Sequence, residues 1–217
     1  MSQFEAFKTR IQSVFNNRNI SDSLEDVVNE KFEIIDFLRS AHQYRGRSFI
    51  LHNDDNGYFI ILKRNNNRFD LSEEEITHVV RVHNLTNSLC FLPIDGKGTI
   101  MPKGSYCDFT FFNNSFLILG EFKTEGLSEH PATIRRNREN ATKQLANTIQ
   151  FFNEALQNNN YEGLYPIAIV IAPPHYPRNN PNIQQMRDEF LQLNKVELYE
   201  ITNEIIHLSE NDIKFIT

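Results

Sequence analysis

The chain has 217 residues, of which 40% are hydrophobic and 23% are charged, and its formal net charge is −6. This much apolar sequence can build one substantial hydrophobic core, and the balance excludes an intrinsically disordered chain. The negative charge excludes a protein that coats nucleic acid with its whole surface, but it is compatible with a local basic groove. Cys90 and Cys107 are too few for a disulfide scaffold, and their apolar neighbours indicate buried free thiols.

The first 15 residues contain Glu5, Lys8 and Arg10 and lack the apolar stretch of a signal peptide. The longest apolar runs, such as residues 167–172, are far too short to span a bilayer. We therefore expect a cytoplasmic protein that does not enter the membrane.

Apolar residues at helical spacing predict two helices at the N-terminus. The first is indicated by a stripe of Phe4, Phe7, Ile11, Val14 and Phe15. The second is predicted to begin at Ser21 or Ser23 and to end before Gly46. Its apolar stripe consists of Leu24, Val27, Val28, Ile34, Ile35 and Leu38.

Two β-prone runs, residues 48–51 and 58–63, flank a stretch rich in Asn and Asp, which predicts a hairpin. The polar residues 65–70 are expected to form a loop. Residues 1–70 are thus predicted to be an extension of helices and a hairpin, placed before a core at residues 71–217.

The predicted core begins with Ser72-Glu73-Glu74-Glu75, which has the form of a capping box, and residues 76–83 are compatible with either a helix or a strand. Strands are predicted at residues 89–94, 106–112, 115–123, 164–172 and 196–201, and helices at residues 133–156 and 183–193. Three strands, a helical crossover and a further strand predict an α/β architecture with a mixed central sheet flanked by helices.

Three charged residues interrupt two consecutive apolar strands of this core. Alternation along residues 115–123 places Glu121 and Lys123 on one face, and a hairpin brings Asp108 of the preceding strand beside Glu121. Charges in such strands cost free energy unless they are paired or bind a metal. Two carboxylates beside a lysine suit a hard divalent cation that activates a bound water, while the ammonium stabilises negative charge.

The segments Cys107-Asp108-Phe109 and Leu119-Gly120-Glu121-Phe122-Lys123 resemble the signature of the PD-(D/E)XK nuclease superfamily. Asp108 matches the Asp of the motif and Glu121-Phe122-Lys123 matches its (D/E)XK, while Cys107 replaces a Pro that is often missing in the family. The similarity covers roughly residues 89–201. It implies a restriction-endonuclease-like core, with Asp108, Glu121 and the Phe122 carbonyl as ligands of Mg²⁺ or Mn²⁺, and Lys123 as the catalytic lysine.

Gln144 is the next candidate, one position off the buried stripe of helix 133–156. Some exonuclease-like branches of the superfamily place a Gln on this helix, four residues before a Tyr, and this resemblance makes Gln144 a candidate catalytic residue. Thr148 occupies the Tyr position here, and an exposed Gln without a role is the alternative. Asp95 could supply a further carboxylate to the site, but the Asp-Gly sequence favours a turn. Glu73–Glu75 are better explained as the N-terminus of a helix than as a set of metal ligands.

The same helix begins with basic residues, where a phosphate backbone passing the site would lie. The residues predicted to contact nucleic acid are Arg135, Arg136, Arg138 and Lys143. Positive charge at a helix N-terminus is electrostatically unfavourable, which favours a functional reason for it. The alternative is a solvated face balanced by neighbouring glutamates.

Together these patterns predict a magnesium-dependent endo- or exodeoxyribonuclease that acts in defence, repair or restriction-like processing. Nucleic acid is the expected partner, with DNA favoured over RNA, and a homodimer is left open. One alternative is a catalytically idle protein of the same fold that binds nucleic acid or a protein partner. Another is an interaction protein in which the charged residues form a buried ion pair.

Overall fold

A computed structural model describes residues 1–16, 20, 23–37, 47–62, 66–76, 79–86, 88–95, 99–101, 104–124, 126, 128–157, 161–178 and 181–217. Within these ranges the chain forms three α-helices and thirteen strands, which make two mixed sheets. The predicted α/β class is thereby confirmed.

The helices and strands follow one another along the described part of the chain. They are α1 (Gln3–Val14), β1 (Glu25–Asp26), β2 (Lys31–Phe37), β3 (Arg47–Asp54), β4 (Gly57–Leu62), β5 (Asn67–Leu71), β6 (Val79–Asn84), β7 (Cys90–Pro93), β8 (Phe109–Phe112), β9 (Phe116–Phe122), α2 (Pro131–Ala155), β10 (Tyr165–Ile171), α3 (Pro181–Asn194), β11 (Glu197–Ile201), β12 (Ile205–Leu208) and β13 (Ile213–Ile216).

The first sheet has the strand order β1-β7-β8-β9-β10-β11. Strands β7, β8 and β9 form an antiparallel meander. Strand β10 is parallel to β9, and β11 is parallel to β10, because α2 and α3 carry the chain back between them. The predicted order of three strands, a helix and a strand is therefore confirmed.

Three layers result, since helices cover one face of the first sheet and the second sheet covers the other. Leu117 of β9 packs in one core with Leu145 of α2. Its neighbour Ile118 packs in another core with Ile34 of β2. Because β9 is covered on both faces, all seven of its residues are buried.

Helix α1 confirms the first predicted helix, and its apolar face is buried in the same core as α2. Val14, which belongs to the predicted stripe, remains 38% exposed at the end of α1. Both cysteines are buried thiols outside any disulfide, as predicted. Within the described ranges, no helix combines the length and the hydrophobicity that crossing a membrane requires.

The second predicted helix is wrong, because the chain forms β1 and β2 there. Its residues 21–22 and 38–45 lie outside the described ones. Phe32 and Ile34 of β2 face the first sheet, whereas Ile35 and Phe37 pack on the opposite face of β2. A strand that is apolar on both faces therefore has a sequence pattern similar to the apolar stripe of a helix. The adjacent β-branched Ile34 and Ile35 fit a pleated surface better than a helix.

The predicted hairpin is confirmed by β3 and β4, whose turn ends at Gly57. Gly57 has a φ of 107°, a left-handed conformation that favours glycine. The predicted polar loop after it is wrong from Asn67 onward, because β5 pairs with β4. The Arg68 guanidinium lies 3.8 Å from the ring centre of Phe59, so polar residues there cover an aromatic side chain of the neighbouring strand.

The strand alternative for residues 76–83 is borne out by β6, which joins the second sheet. The capping box is present, since the Glu75 carboxylate accepts from the Ser72 N–H at 2.9 Å, but it begins only a single 3₁₀ turn at Glu73–Glu75. The predicted last strand, β11, is followed by β12 and β13. Both extend the second sheet, with β12 parallel to β6.

Candidate active site

The predicted acidic residues lie side by side at the end of the β8–β9 hairpin opposite its turn. Phe109 pairs with Gly120, and the N–H of Asp108 donates to the Gly120 carbonyl at 3.0 Å. The Asp108 carboxylate accepts a hydrogen bond from the N–H of Phe122 at 2.6 Å. The backbone on both sides of Glu121 thus fixes the position of Asp108.

Gly120 makes this close approach of the two segments feasible. A Cβ at this position would lie 2.1 Å from Cζ of Phe109, so the ring occupies the space that a side chain would need. Because Phe109 follows Asp108 and Gly120 precedes Glu121, the contact holds the two acidic positions together.

Both acids are almost fully removed from solvent, with Asp108 9% and Glu121 1% exposed. Burial raises the pKa of Asp108 well above its ordinary range, and the charge of Glu121 raises it further. Burial also raises the pKa of Glu121 to about 7, although the Lys123 ammonium opposes this shift. Two buried carboxyls side by side therefore resist carrying two negative charges unless a cation joins them.

Lys123 completes the predicted group from the end of β9. Its ammonium donates to Glu121 Oε1 and to Gln144 Oε1, the latter at 2.8 Å. Gln144 also donates through Nε2 to the Tyr106 carbonyl at 2.9 Å. The structure thus brings together the four side chains predicted for catalysis, and Gln144 joins α2 to the segment before β8 and to Lys123 directly after β9.

The second carboxylate oxygen of Glu121, Oε2, is buried and accepts no hydrogen bond from the described residues. A buried oxygen without a donor is costly, which favours an added proton or cation beside it. The Asp108 and Glu121 carboxylates and the adjacent Phe122 carbonyl provide oxygen donors, which Mg²⁺ and Mn²⁺ prefer. The donor chemistry therefore fits such an ion.

The protein would supply only part of the coordination shell of that ion. Within the described ranges, no group of three or more His, Cys, Asp and Glu side chains is placed to hold a metal. Mg²⁺ commonly keeps several waters and uses one or two carboxylates together with substrate phosphate. A site with two carboxylates matches that mode better than a closed, all-protein cage.

Two further carboxylates lie near the pair. The Asp95 N–H donates to the Asp108 carbonyl at 3.3 Å, and the charge of Asp95 adds to the effect of burial in raising the pKa of Glu121. The predicted turn at Asp95 continues into residue 96, outside the described residues. Glu73–Glu75, by contrast, form the 3₁₀ turn that precedes β6 of the second sheet.

Asp36 of β2 is the other nearby acid, and its charge also raises the pKa of Asp108, after burial and Glu121. Because this segment was predicted to be a helix, Asp36 was not recognised as a candidate site residue. The signal that could have identified it is strand alternation, because Phe32, Ile34 and Asp36 share the face of β2 that covers the first sheet.

Three of the four predicted nucleic-acid contacts are exposed on α2, namely Arg135, Arg136 and Lys143. Arg135 pairs with Glu139 at 2.7 Å. Arg136 and Lys143 are seven residues apart and therefore share one face of the helix.

Arg138 departs from the prediction. Its guanidinium donates to both carboxylate oxygens of Glu200, at 2.6 and 2.7 Å, and to the Pro177 carbonyl at 3.0 Å. The side chain is only 7% exposed, because it turns inward from α2 towards β11. In this conformation Arg138 joins two elements of the protein and presents no charge to a phosphate backbone.

Comparisons with protein-family models, with curated protein sequences and with solved structures found no match for this chain.

Proposed function

We propose that this chain is a divalent-metal-dependent nuclease that hydrolyses phosphodiester bonds, with DNA as the favoured substrate. The observation that carries the proposal is the convergence of Asp108, Glu121 and Lys123 with Gln144 in one hydrogen-bonded group. Glu121 retains a buried oxygen that accepts no hydrogen bond from the described residues, and a bound cation would compensate for that loss.

Asp108, Glu121 and the Phe122 carbonyl would hold Mg²⁺ or Mn²⁺. When bound, such an ion neutralises charge on the scissile phosphate and lowers the pKa of a bound water. The Lys123 side chain is 20% exposed, so its ammonium can face both the acids and an incoming phosphate. There it would orient the attacking water and stabilise the negative charge that develops on the phosphoryl oxygens.

The strand order around the site supports the proposal. The meander β7-β8-β9, the crossover helix α2 and the parallel strand β10 follow the arrangement that the PD-(D/E)XK resemblance implies. We infer a restriction-endonuclease-like core in the first sheet and its helices, with the second sheet packed on its free face. We propose the cytoplasm as the compartment, where thiols such as Cys90 and Cys107 stay reduced.

The proposed nucleic-acid surface consists of Arg135, Arg136 and Lys143. Lys143 directly precedes Gln144, so this exposed surface begins next to the proposed active site. A few basic side chains can hold a phosphate backbone on a protein whose net charge is −6, because the contacts are local. Arg138 is left out of this surface because its guanidinium is held by Glu200.

The burial of the acids favours a second candidate function, a catalytically idle protein that binds nucleic acid or a protein partner. In that case the contact between Lys123 and Glu121 would be a buried ion pair that only stabilises the fold. The two candidates differ in their response to divalent ions, which the first requires and the second does not.

The test is cleavage of linear duplex, circular duplex and single-stranded DNA, and of RNA, with Mg²⁺, Mn²⁺ or EDTA. We expect metal-dependent cleavage that is lost in Asp108→Asn and in Glu121→Gln, which keep the side-chain shape and remove the charge. Glu154→Gln on the exposed face of α2 is the matched control and should cut like the wild type. Cleavage that persists in either site variant, or a wild type that binds no divalent ion by calorimetry, would contradict the proposal.

A further inference from the structure

One stretch of α2 holds the backbone that leads into Asp108. Three of its side chains hydrogen-bond three consecutive residues of that backbone. The bonds run from Asn147 Nδ2 to the Ser105 carbonyl at 2.8 Å, from Gln144 Nε2 to the Tyr106 carbonyl at 2.9 Å, and from the Cys107 N–H to Thr148 Oγ1 at 2.9 Å. We call Gln144, Asn147 and Thr148 the helix clamp.

The helix clamp holds a segment of the chain that lies outside the sheet. Strand β8 begins at Phe109, and residues 105–107 belong to no strand or helix. The backbone of Asp108 joins the sheet through Gly120 and Ile94, whereas the three residues before it are held by the side chains of α2. A small shift of this segment would move the Asp108 carboxylate relative to Glu121.

Thr148 holds the most buried of these bonds, since its side chain is completely inaccessible to solvent. Its hydroxyl donates to the Gln144 carbonyl at 3.0 Å while it accepts from the Cys107 N–H. Replacing the hydroxyl with a methyl group would leave the Cys107 N–H buried without an acceptor. Because a buried donor without an acceptor is costly, the segment would be driven to move.

Gln144 connects the clamp to the other side of the proposed site. Its Oε1 accepts from the Lys123 ammonium at 2.8 Å while its Nε2 holds the Tyr106 carbonyl. The position of the lysine and the path of the chain into Asp108 are therefore set by the same turns of one helix.

We propose that Asn147 and Thr148 are positioning residues that set the spacing of the Asp108 and Glu121 carboxylates, and thereby the affinity of the site for a divalent cation. Neither side chain touches the carboxylates, and both act through the backbone of residues 105–107. This inference rests on the proposed function, because it assigns these residues to the metal affinity of that same site.

The test measures binding of Mn²⁺ to the full-length protein, using the electron paramagnetic resonance signal of the free ion. The variants are Asn147→Ala and Thr148→Val, with Thr148→Ser as the conservative replacement that restores the hydroxyl. Asn140→Ala is the matched control, because Asn140 is an exposed asparagine of α2 outside the clamp. Urea unfolding of each variant establishes the conditions under which it is folded.

We expect Asn147→Ala and Thr148→Val to weaken Mn²⁺ binding about tenfold, the effect typical of residues that orient metal ligands. Thr148→Ser and Asn140→Ala should stay near the wild-type affinity. A purely structural role would lower the free energy of unfolding and leave Mn²⁺ affinity of the folded protein unchanged, and that result would overturn the inference. If Thr148→Val does not fold, Asn147→Ala provides the same test, because Asn147 is only partly buried.

The two proposals fail in different ways. A wild type that binds no Mn²⁺ overturns the proposed function, and the inference falls with it. A wild type that binds Mn²⁺, together with folded clamp variants that bind it equally well, overturns the inference alone.

Discussion

The Lys123 ammonium lies 2.8 Å from Oε1 of Gln144, so a lysine at the end of β9 is held by the middle of α2. The same ammonium contacts Glu121, two residues earlier on the strand. A flexible side chain is thus fixed between a helix and a strand, which reduces the freedom that it would otherwise lose on binding a phosphate. In the proposed function Lys123 would act electrostatically and would not bind the metal.

Lys123→Ala should retain divalent-ion affinity near the wild-type value and lose turnover. Removing one preorganised contact to transition-state charge typically costs about 10²–10³ in rate. The measurements are single-turnover cleavage with Mg²⁺ and calorimetry with Ca²⁺. Lys31→Ala, at an exposed lysine of β2, is the control and should change neither. A Lys123→Ala protein with normal turnover and weaker ion binding would reverse this division of roles.

Metal-free protein should lose stability as the pH rises from about 5 to 8. Burial raises the pKa of Glu121 from an ordinary 4.5 to about 7, so the folded state binds its proton more tightly than the unfolded state. The stabilisation is complete below pH 4.5 and is lost as the pH rises through 7. Its size is at most about 3 kcal/mol, and the raised pKa of Asp108 acts in the same direction.

Urea unfolding in EDTA at several pH values checks this expectation. Glu121→Gln should flatten the dependence, because the amide has no proton to lose in this range. Added Mn²⁺ should restore stability at pH 8 in the wild type and not in Glu121→Gln. A wild type whose free energy of unfolding does not fall between pH 5 and 8 would show that the buried carboxyls are accommodated as charges without a metal.

Arg138→Ala should destabilise the protein without acting on nucleic acid. Glu200, whose side chain is only 10% exposed beside Arg138, would lose its cation, a loss that typically costs about 3–5 kcal/mol. Arg138→Met combined with Glu200→Leu should recover much of this loss, since no unpaired charge is left behind. Urea unfolding of the wild type and of these two variants tests the order, and equal stability of the single and double variants would contradict it.

The part of the site that could be predicted is the part that strand alternation determines. Glu121 and Lys123 share a face because they are two residues apart, and a short hairpin brings Asp108 beside them. Helical spacing places Arg138 on the buried stripe of α2, four residues after Ile134 and three before Ala141, but its partner Glu200 lies 62 residues further along the chain, so no local pattern identifies the ion pair. The same holds for the helix clamp, whose bonds span about 40 residues.

The fold, like the site, could be predicted where the local sequence pattern is clear. The first sheet follows from apolar strands with clear ends, such as the seven-residue strand that Pro173 and Pro174 follow. The second sheet was missed at β2 and β5 for opposite reasons. Strand β2 is apolar on both faces, so its sequence pattern resembles that of a helix. Strand β5 lies at a sheet edge and carries the polar Arg68 and Asp70, so its sequence pattern resembles that of a loop. In both strands the sheet partner decided the structure, and the local pattern did not.

The last prediction concerns how an acidic protein holds a polyanion. If Arg136 and Lys143 contact phosphates beside the site, the affinity for duplex DNA should fall steeply with salt, by about 0.9 in log K per phosphate for each tenfold rise in salt. Arg136→Gln combined with Lys143→Gln should then make the slope shallower by about 1.8 and weaken all sequences alike. Divalent-ion affinity should be unchanged, because neither side chain is a ligand.

The measurement is fluorescence anisotropy of a labelled duplex in Ca²⁺, which allows binding to be followed without cleavage. Lys31→Gln combined with Lys214→Gln removes the same two charges from exposed strand positions of the second sheet. This control separates a local contact from the general effect of net charge. An equal change of slope in both double variants would mean that only net charge matters, and an unchanged slope in Arg136→Gln/Lys143→Gln would place the phosphate contacts on another surface.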